Sequence, residues 1–170
     1  MRWNIKTIAF QGELGAYSHE ACMSVCSSCE VLPRKSFEEV ITTVKNTNAD
    51  LAMLPVEKTT YGRVADIHRL LPELGLHTTD EVFIRVRINL LGLPGAKISD
   101  IKNVYSHGQA LSQCSKFIKS NNLIEHVRAD TAGSAEMVAK EKDKSKAAIA
   151  SSLSAKTYNL EIIKKNVENE

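Results

Sequence analysis

The sequence predicts an α/β fold of two lobes, and three observations carry that expectation. First, through about residue 71, short apolar runs alternate with segments whose apolar residues recur at helical spacing, giving a β-α-β-α-β-α order and hence a mainly parallel sheet. Second, Val82, Ile84, Val86, Ile88 and Leu90 alternate with Phe83, Arg85, Arg87 and Asn89, the pattern of a long half-exposed strand suited to crossing between lobes. Third, another β-α-β-α-β run follows that strand. The expected division is one lobe of about residues 1–80 plus 160–170 and a second of about 81–159.

Thr7–Phe10 reads as a strand ending in a turn with two glycines, Gly12 and Gly15. Ser18 is a candidate cap for a helix whose apolar face is Ala21, Cys22, Val25 and Cys29. Ser36 with Glu39 matches a capping box, and Phe37, Val40, Ile41 and Val44 follow the i, i+3, i+4, i+7 rule of one helical face. Leu51–Val56 is the next strand, followed by a helix over Gly62–Leu71 that Pro72 stops. Beyond the long strand, Val104–Tyr105 ends a strand, and Ser106 opens a helix that buries Ala110, Leu111, Cys114, Phe117 and Ile118. Val127 lies in a short strand, and Asp130-Thr131 caps a helix through Ala132, Ala135 and Val138. Ala147–Ala150 is a strand of small residues, Ser151 caps a helix to about Tyr158, and Ile162–Val167 is a last strand.

Composition narrows the function. With 43% hydrophobic residues among 170, the chain can bury a substantial core. A net charge of +2 without a basic stripe, together with 5% aromatic residues, argues against nucleic acid as a partner. No apolar run reaches the roughly 20 residues of a membrane span. The N-terminal residues lack the apolar core of a signal peptide, so the expected location is the cytoplasm and the four cysteines are expected to be reduced.

The stretch that most resembles a site is Leu51–Val64. A buried strand breaks at Pro55 into a turn holding Glu57, Lys58, Thr59 and Thr60, and the carboxyl ends of strands are where open α/β sheets bind ligands. Tyr17-Ser18-His19 and Tyr105-Ser106-His107 both sit where a strand yields to a helix, and helix N-termini favour anions. Cys22, Cys26 and Cys29, with His19 nearby, have the spacing of an iron–sulfur motif. Yet Cys22 and Cys26 lie a turn apart on an apolar helix face, where cysteine packs as a small hydrophobe, so neither a metal nor a Cys26–Cys29 redox pair is expected. No dinucleotide fingerprint or Walker lysine is present. Pattern alone reaches an α/β ligand-binding or catalytic domain and stops there.

Taken together, the segments resemble prephenate dehydratase. They are Phe10-Gln-Gly-Glu-Leu-Gly-Ala-Tyr-Ser18, Ser36-Phe37, Asp50-Leu-Ala52, Pro55-Val-Glu57, Gly62-Arg-Val64, Val104-Tyr-Ser-His-Gly-Gln-Ala-Leu-Ser-Gln-Cys114, Asp130-Thr-Ala-Gly-Ser-Ala135 and Ala147-Ala-Ile-Ala-Ser151, in the family's order through almost the whole chain. The resemblance implies a two-lobed fold like that of type II periplasmic binding proteins, with a ligand cleft between the lobes. It implies conversion of prephenate to phenylpyruvate with loss of water and carbon dioxide, a late step toward phenylalanine. It implies no metal or organic cofactor, and assembly as dimers or tetramers. The substrate-binding residues it suggests are Ser18, Thr59, Ser106, His107, Gln109 and Thr131, with His107 orienting its neighbours; Glu57, Thr59 and Ser106 are the catalytic candidates.

This chain departs from the family pattern in several places. Glu57-Lys58-Thr59 stands where Glu-Asn-Ser is usual, so Lys58 replaces a neutral amide with a cation. Leu14 and Gly108 stand where proline is common. The family's Thr-Arg-Phe motif does not occur in these 170 residues, nor does the ACT regulatory domain follow. The expectation is therefore weak or absent dehydratase activity in the chain as given. A non-catalytic module that binds a small dianion on the same scaffold is the alternative.

Overall fold

The computed structural model describes residues 5–58, 62–70 and 75–169, with 58, 62, 63, 66 and 70 described by backbone alone. The chain divides into two compact units, Met1–Glu13 with Ser18–Ile84 and Leu14–Tyr17 with Arg85–Glu170. The α/β class expected from the sequence is the class found.

The first unit is built on a three-stranded parallel sheet of order β2-β1-β3, with β1 at Thr7–Gln11, β2 at Glu30–Arg34 and β3 at Leu51–Met53. Strand alternation sends Ile8 and Phe10 to one face, where they meet Cys22 and Cys29 from helix α1 (Tyr17–Val25) and the loop after it. Ala9 points to the other face and packs with Val40 of α2 (Phe37–Lys45). Ser36 caps α2 as expected, its hydroxyl accepting from the Glu39 amide at 3.2 Å. The reciprocal half of the box is shifted by one residue: the Glu39 carboxylate accepts from the Lys35 amide at 3.0 Å, not from that of Ser36. Asp50, just before β3, is held against the start of β1. Its carboxylate accepts from the amides of Lys6 (2.8 Å) and Thr7 (2.9 Å) and from the Thr7 hydroxyl (3.0 Å). A two-stranded antiparallel ribbon, β4 (Glu57–Lys58) with β5 (Gly62–Arg63), and helix α3 (Ala65–Leu70) follow.

The second unit holds a five-stranded mixed sheet of order β10-β6-β9-β7-β8. Its strands are β6 (Asn89–Gly92), β7 (Asn103–His107), β8 (Ile124–Arg128), β9 (Lys146–Ala150) and β10 (Glu161–Lys164). β7, β8 and β9 are mutually parallel, and β6 runs antiparallel to both β9 and β10. Central β9 is buried on both faces. Ala147 and Ile149 meet Ala110, Leu111, Cys114 and Ile118 from α4 (Gly108–Gln113) and α5 (Ser115–Ser120). Ala148 and Ala150 meet Ala135 and Val138 of α6 (Thr131–Glu141) and Ala155 of α7 (Ser152–Thr157). Alanines on both surfaces let α6 lie close to the sheet.

Four expectations are corrected. Val82–Leu90 is not a strand: pairing begins only at Asn89, and Phe83 is 86% exposed. The alternation is real, but among the described residues no strand offers Val82–Ile88 a hydrogen-bonded ladder. Residues 160–170 do not return to the first unit. β10 pairs with β6, and the Val167 amide donates to the Ile88 carbonyl at 2.8 Å. The helix expected from Ser106 begins at Gly108 and breaks at Cys114 into α4 and α5. Finally, Cys26 and Cys29 are joined by a disulfide, so only Cys22 and Cys114 are free. β2 is the strand that the β-α-β-α-β-α order requires between α1 and α2, and it contains Pro33. A proline without an amide proton is tolerated there because β2 is an edge strand.

Candidate functional site

In the second unit the register aligns three parallel strand ends. His107, last in β7, lies opposite Arg128, last in β8, and Tyr105 lies opposite Ala148 of β9. Each strand then passes into a helix at the same edge of the sheet: β7 into α4, β8 into α6 and β9 into α7. The caps are His107, Asp130 and Ser151. His107 Nδ1 accepts from the Gln109 amide at 3.3 Å, so in the neutral ring the proton sits on Nε2. The Asp130 carboxylate accepts from the Gly133 amide at 2.6 Å, and Ser151 Oγ accepts from the Ser154 amide at 3.0 Å. Gln109 is exposed, while His107 and Thr131 are half-buried.

Ser106 occupies a different position from the one its sequence context suggested. It lies within β7, fully buried, and its hydroxyl donates to the Ile149 carbonyl at 2.6 Å. That bond ties β7 to β9 immediately behind the strand ends. Arg128 was not singled out by the sequence. It is exposed at the end of β8, in register with His107, and a guanidinium suits a carboxylate ligand. The available signal was a cation two residues before a helix cap.

The glycine turn before α1 is held by hydroxyls that sequence reasoning also missed. The Gly15 carbonyl accepts from Ser151 Oγ (2.6 Å) and Ser154 Oγ (2.9 Å), and the Leu14 carbonyl accepts from the Tyr158 hydroxyl (2.8 Å). Gly15 has φ +90°, and a Cβ there would lie 2.9 Å from the Ser154 Cα. Only glycine satisfies both constraints. Asn89, expected on a solvent face, is buried, donating to Ser152 Oγ at 3.2 Å and accepting from the Asn166 amide at 3.3 Å.

In the first unit, Ser18 is half-buried inside the first turn of α1, which begins at Tyr17, so it is not the cap. Glu57 is exposed on β4, where it pairs in register with Arg63. Thr59 lies outside the described residues, and of Lys58 only the backbone is described. His19, one residue after Ser18, stacks on Phe10 with ring centroids 5.6 Å apart, and burial lowers its pKa so that the ring is neutral. Burial pushes the neighbouring Glu20 carboxyl upward. Among the described residues no group of three or more His, Cys, Asp or Glu is placed to hold a metal ion. The structure thus brings His107, Gln109, Thr131 and, behind them, Ser106 to one sheet edge. Ser18 and Glu57 belong to the other unit.

Comparison with known proteins gives this geometry its context. The family model for prephenate dehydratase matches residues 8–170. A bifunctional N-acyl-homoserine lactone acylase/prephenate dehydratase of Komagataeibacter europaeus is 43% identical over 164 residues, covering 96% of this chain and 58% of the relative. Arogenate dehydratase/prephenate dehydratase 2 of Arabidopsis thaliana is 36% identical, covering 96% of this chain and 43% of the relative. The chain therefore spans about half the length of the relatives it matches. Among solved structures, GqqA, described as a novel type of quorum quenching acylase, superposes with TM-score 0.91 at 43% identity, over 96% of this chain and 60% of that one. Prephenate dehydratase of Arthrobacter aurescens in complex with L-Phe superposes with TM-score 0.86 at 25% identity, over 96% of this chain and 56% of that one. With a family model covering nearly every residue and relatives in agreement along the same span, this chain belongs to the prephenate dehydratase family.

Proposed function

We propose that the chain binds prephenate and is the catalytic domain of a dehydratase that converts it to phenylpyruvate in phenylalanine biosynthesis. The observation that supports this most is the sheet edge at which β7 ends in His107, β8 ends in register at Arg128, and α6 begins at Thr131. Prephenate is a dianion. In this reading one carboxylate takes Arg128 and the Thr131 hydroxyl at the start of α6, where the helix dipole favours negative charge. Asp130 adds an opposing charge at the same edge, partly spent on the Gly133 amide. Gln109 contributes its side-chain amide, and His107 fixes the turn that carries it. Ser106 acts as a positioning residue through Ile149 rather than as a contact.

The chemistry is an elimination. The bond to the departing carboxylate breaks, its electron pair enters the ring, and the ring hydroxyl leaves as hydroxide. A proton donor completes water, and aromatisation drives the step. Glu57 and Thr59 are the residues this reading assigns to the leaving hydroxyl. The cytoplasm, and assembly into dimers or tetramers, belong to the same proposal; light scattering of the purified chain tests the latter.

Prephenate titrated by calorimetry, with phenylpyruvate followed in parallel, tests the reading. Saturable heat with product supports it. Heat without product leaves the binding module as the function, and neither heat nor product overturns the reading. The 43% identity to an acylase-bearing relative favours a second activity, hydrolysis of N-acyl-homoserine lactone, which release of the free acyl acid would report.

A further inference from the structure

The Cys26-Ser27-Ser28-Cys29 loop joins α1 to β2, and neither the sheet edges nor the proposed reaction uses it. Its two sulfurs are bonded to each other yet differ in surroundings. Cys29 is buried at 9% exposure, within the core cluster that contains Ile8, Phe10 and Cys22. Cys26 is half-buried, and the two serines beside it are exposed. A small nucleophile approaching from solvent therefore reaches Cys26 Sγ first. Ser28 Oγ lies 3.7 Å from that sulfur, where its hydroxyl can donate to developing negative charge. Cys29 Sγ lies 3.3 Å from the Ile5 carbonyl. A disulfide sulfur has no proton to give that oxygen, whereas a Cys29 thiol does, so the opened form gains a partner for its buried S–H group.

We propose that Cys26 and Cys29 form a reversible thiol–disulfide exchange site, entered at Cys26, for small thiols and disulfides of the glutathione class. In the closing direction the Cys26 thiolate attacks a sulfur of the small disulfide. A mixed disulfide forms at Cys26 and one small thiolate leaves. The Cys29 thiol gives up its proton and attacks Cys26 Sγ, closing the protein disulfide and expelling the second small thiolate. The protein loses two electrons, the small disulfide gains them, and both protons end on the released thiols. Opening is the reverse, and a dithiol supplies the two electrons.

Two features set where the balance lies. Cys26 directly follows the last residue of α1, and its amide donates to the Cys22 carbonyl at 2.9 Å. A thiolate there sits at the negative end of the helix, opposite to the arrangement that activates redox cysteines at helix N-termini. The closed form is therefore favoured, and a dithiol opens it more readily than a monothiol. Cys22 does not compete, since burial holds its thiol protonated with a pKa of about 12.

The full chain, equilibrated near neutral pH in graded mixtures of reduced and oxidised dithiothreitol, then acid-quenched, unfolded and alkylated, tests this. Closed protein carries two alkyl groups, on Cys22 and Cys114, and open protein carries four. The expected result is passage between two and four, reached from either direction. A count fixed at two in excess dithiol, or at four under oxidation, overturns the proposal. Independently, Cys29→Ser should take up one glutathione from oxidised glutathione in the native state and Cys26→Ser none. Equal uptake by both variants, or uptake by neither, removes Cys26 as the point of entry.

Discussion

Gly15 shows how one residue without a side chain fixes the turn that leads into α1. Its φ of +90° and the 2.9 Å approach to Ser154 Cα act together, so Gly15→Ala should cost roughly 1–3 kcal/mol in urea unfolding. Removing the Ser154 hydroxyl in the same chain should not restore the loss, because the Cα remains in the way. Ser106 makes the complementary case. Its sequence setting suggested a contact to substrate, while its burial and its 2.6 Å bond to Ile149 give it a structural task. Ser106→Ala should lower stability by roughly 1–3 kcal/mol, since the partner carbonyl lies in a dry core. A direct substrate contact predicts instead a fall in kcat/KM at unchanged stability, and the two measurements separate the roles. The sequence could not reveal this, because a shift of one residue between strand and helix turns a serine from the solvent side to the core.

At the scale of elements, caps and strand ends decide the candidate site. Asp130→Ala should destabilise the chain by about 1 kcal/mol, with Asp130→Asn restoring most of it, because either oxygen accepts from the Gly133 amide. The Cys26–Cys29 bridge closes a very short loop, for which chain entropy gives about 2 kcal/mol, so reduction should lower the thermal midpoint without unfolding the chain. Elements with a clear period were legible from sequence: α2 with its Ser36 cap, α6 with its cap, β9 and α7 all lie where the pattern placed them. Those that depend on a neighbour were not. Val82–Leu90 has strand alternation, yet a strand exists only when another backbone pairs with it, and only Asn89–Gly92 finds one. The same holds at the site. Hydroxyls and His107 stood out at strand-to-helix junctions, but Arg128 gained meaning only when register set it beside His107.

For the whole molecule, the shifted ionisations predict a stability maximum bounded on both sides. Asp50 and Asp143 are held below the usual carboxylate range, chiefly by the amides of Lys6 and of Ser145 respectively. Their contribution is complete above the unfolded carboxylate pKa of about 3.9 and disappears as pH falls through their folded values. Burial lowers His19, so the folded chain resists a proton that the unfolded chain accepts, and stability begins to fall as pH drops below about 6.5. Glu20 is raised and acts in the opposite sense, since its folded form holds a proton that the unfolded chain has already lost. On the alkaline side, burial pushes the Cys22 and Cys114 thiols up to about 12. The unfolded thiols ionise above about 8.5, so stability declines from there until the folded thiols themselves titrate. Urea midpoints measured across pH should therefore form a plateau between about 6.5 and 8.5, falling on both sides. The alkaline limb tests the assignment most sharply: Cys22→Ala with Cys114→Ala should flatten it while leaving the acid limb in place. An unchanged alkaline limb in that double variant would mean that the buried thiols do not govern it.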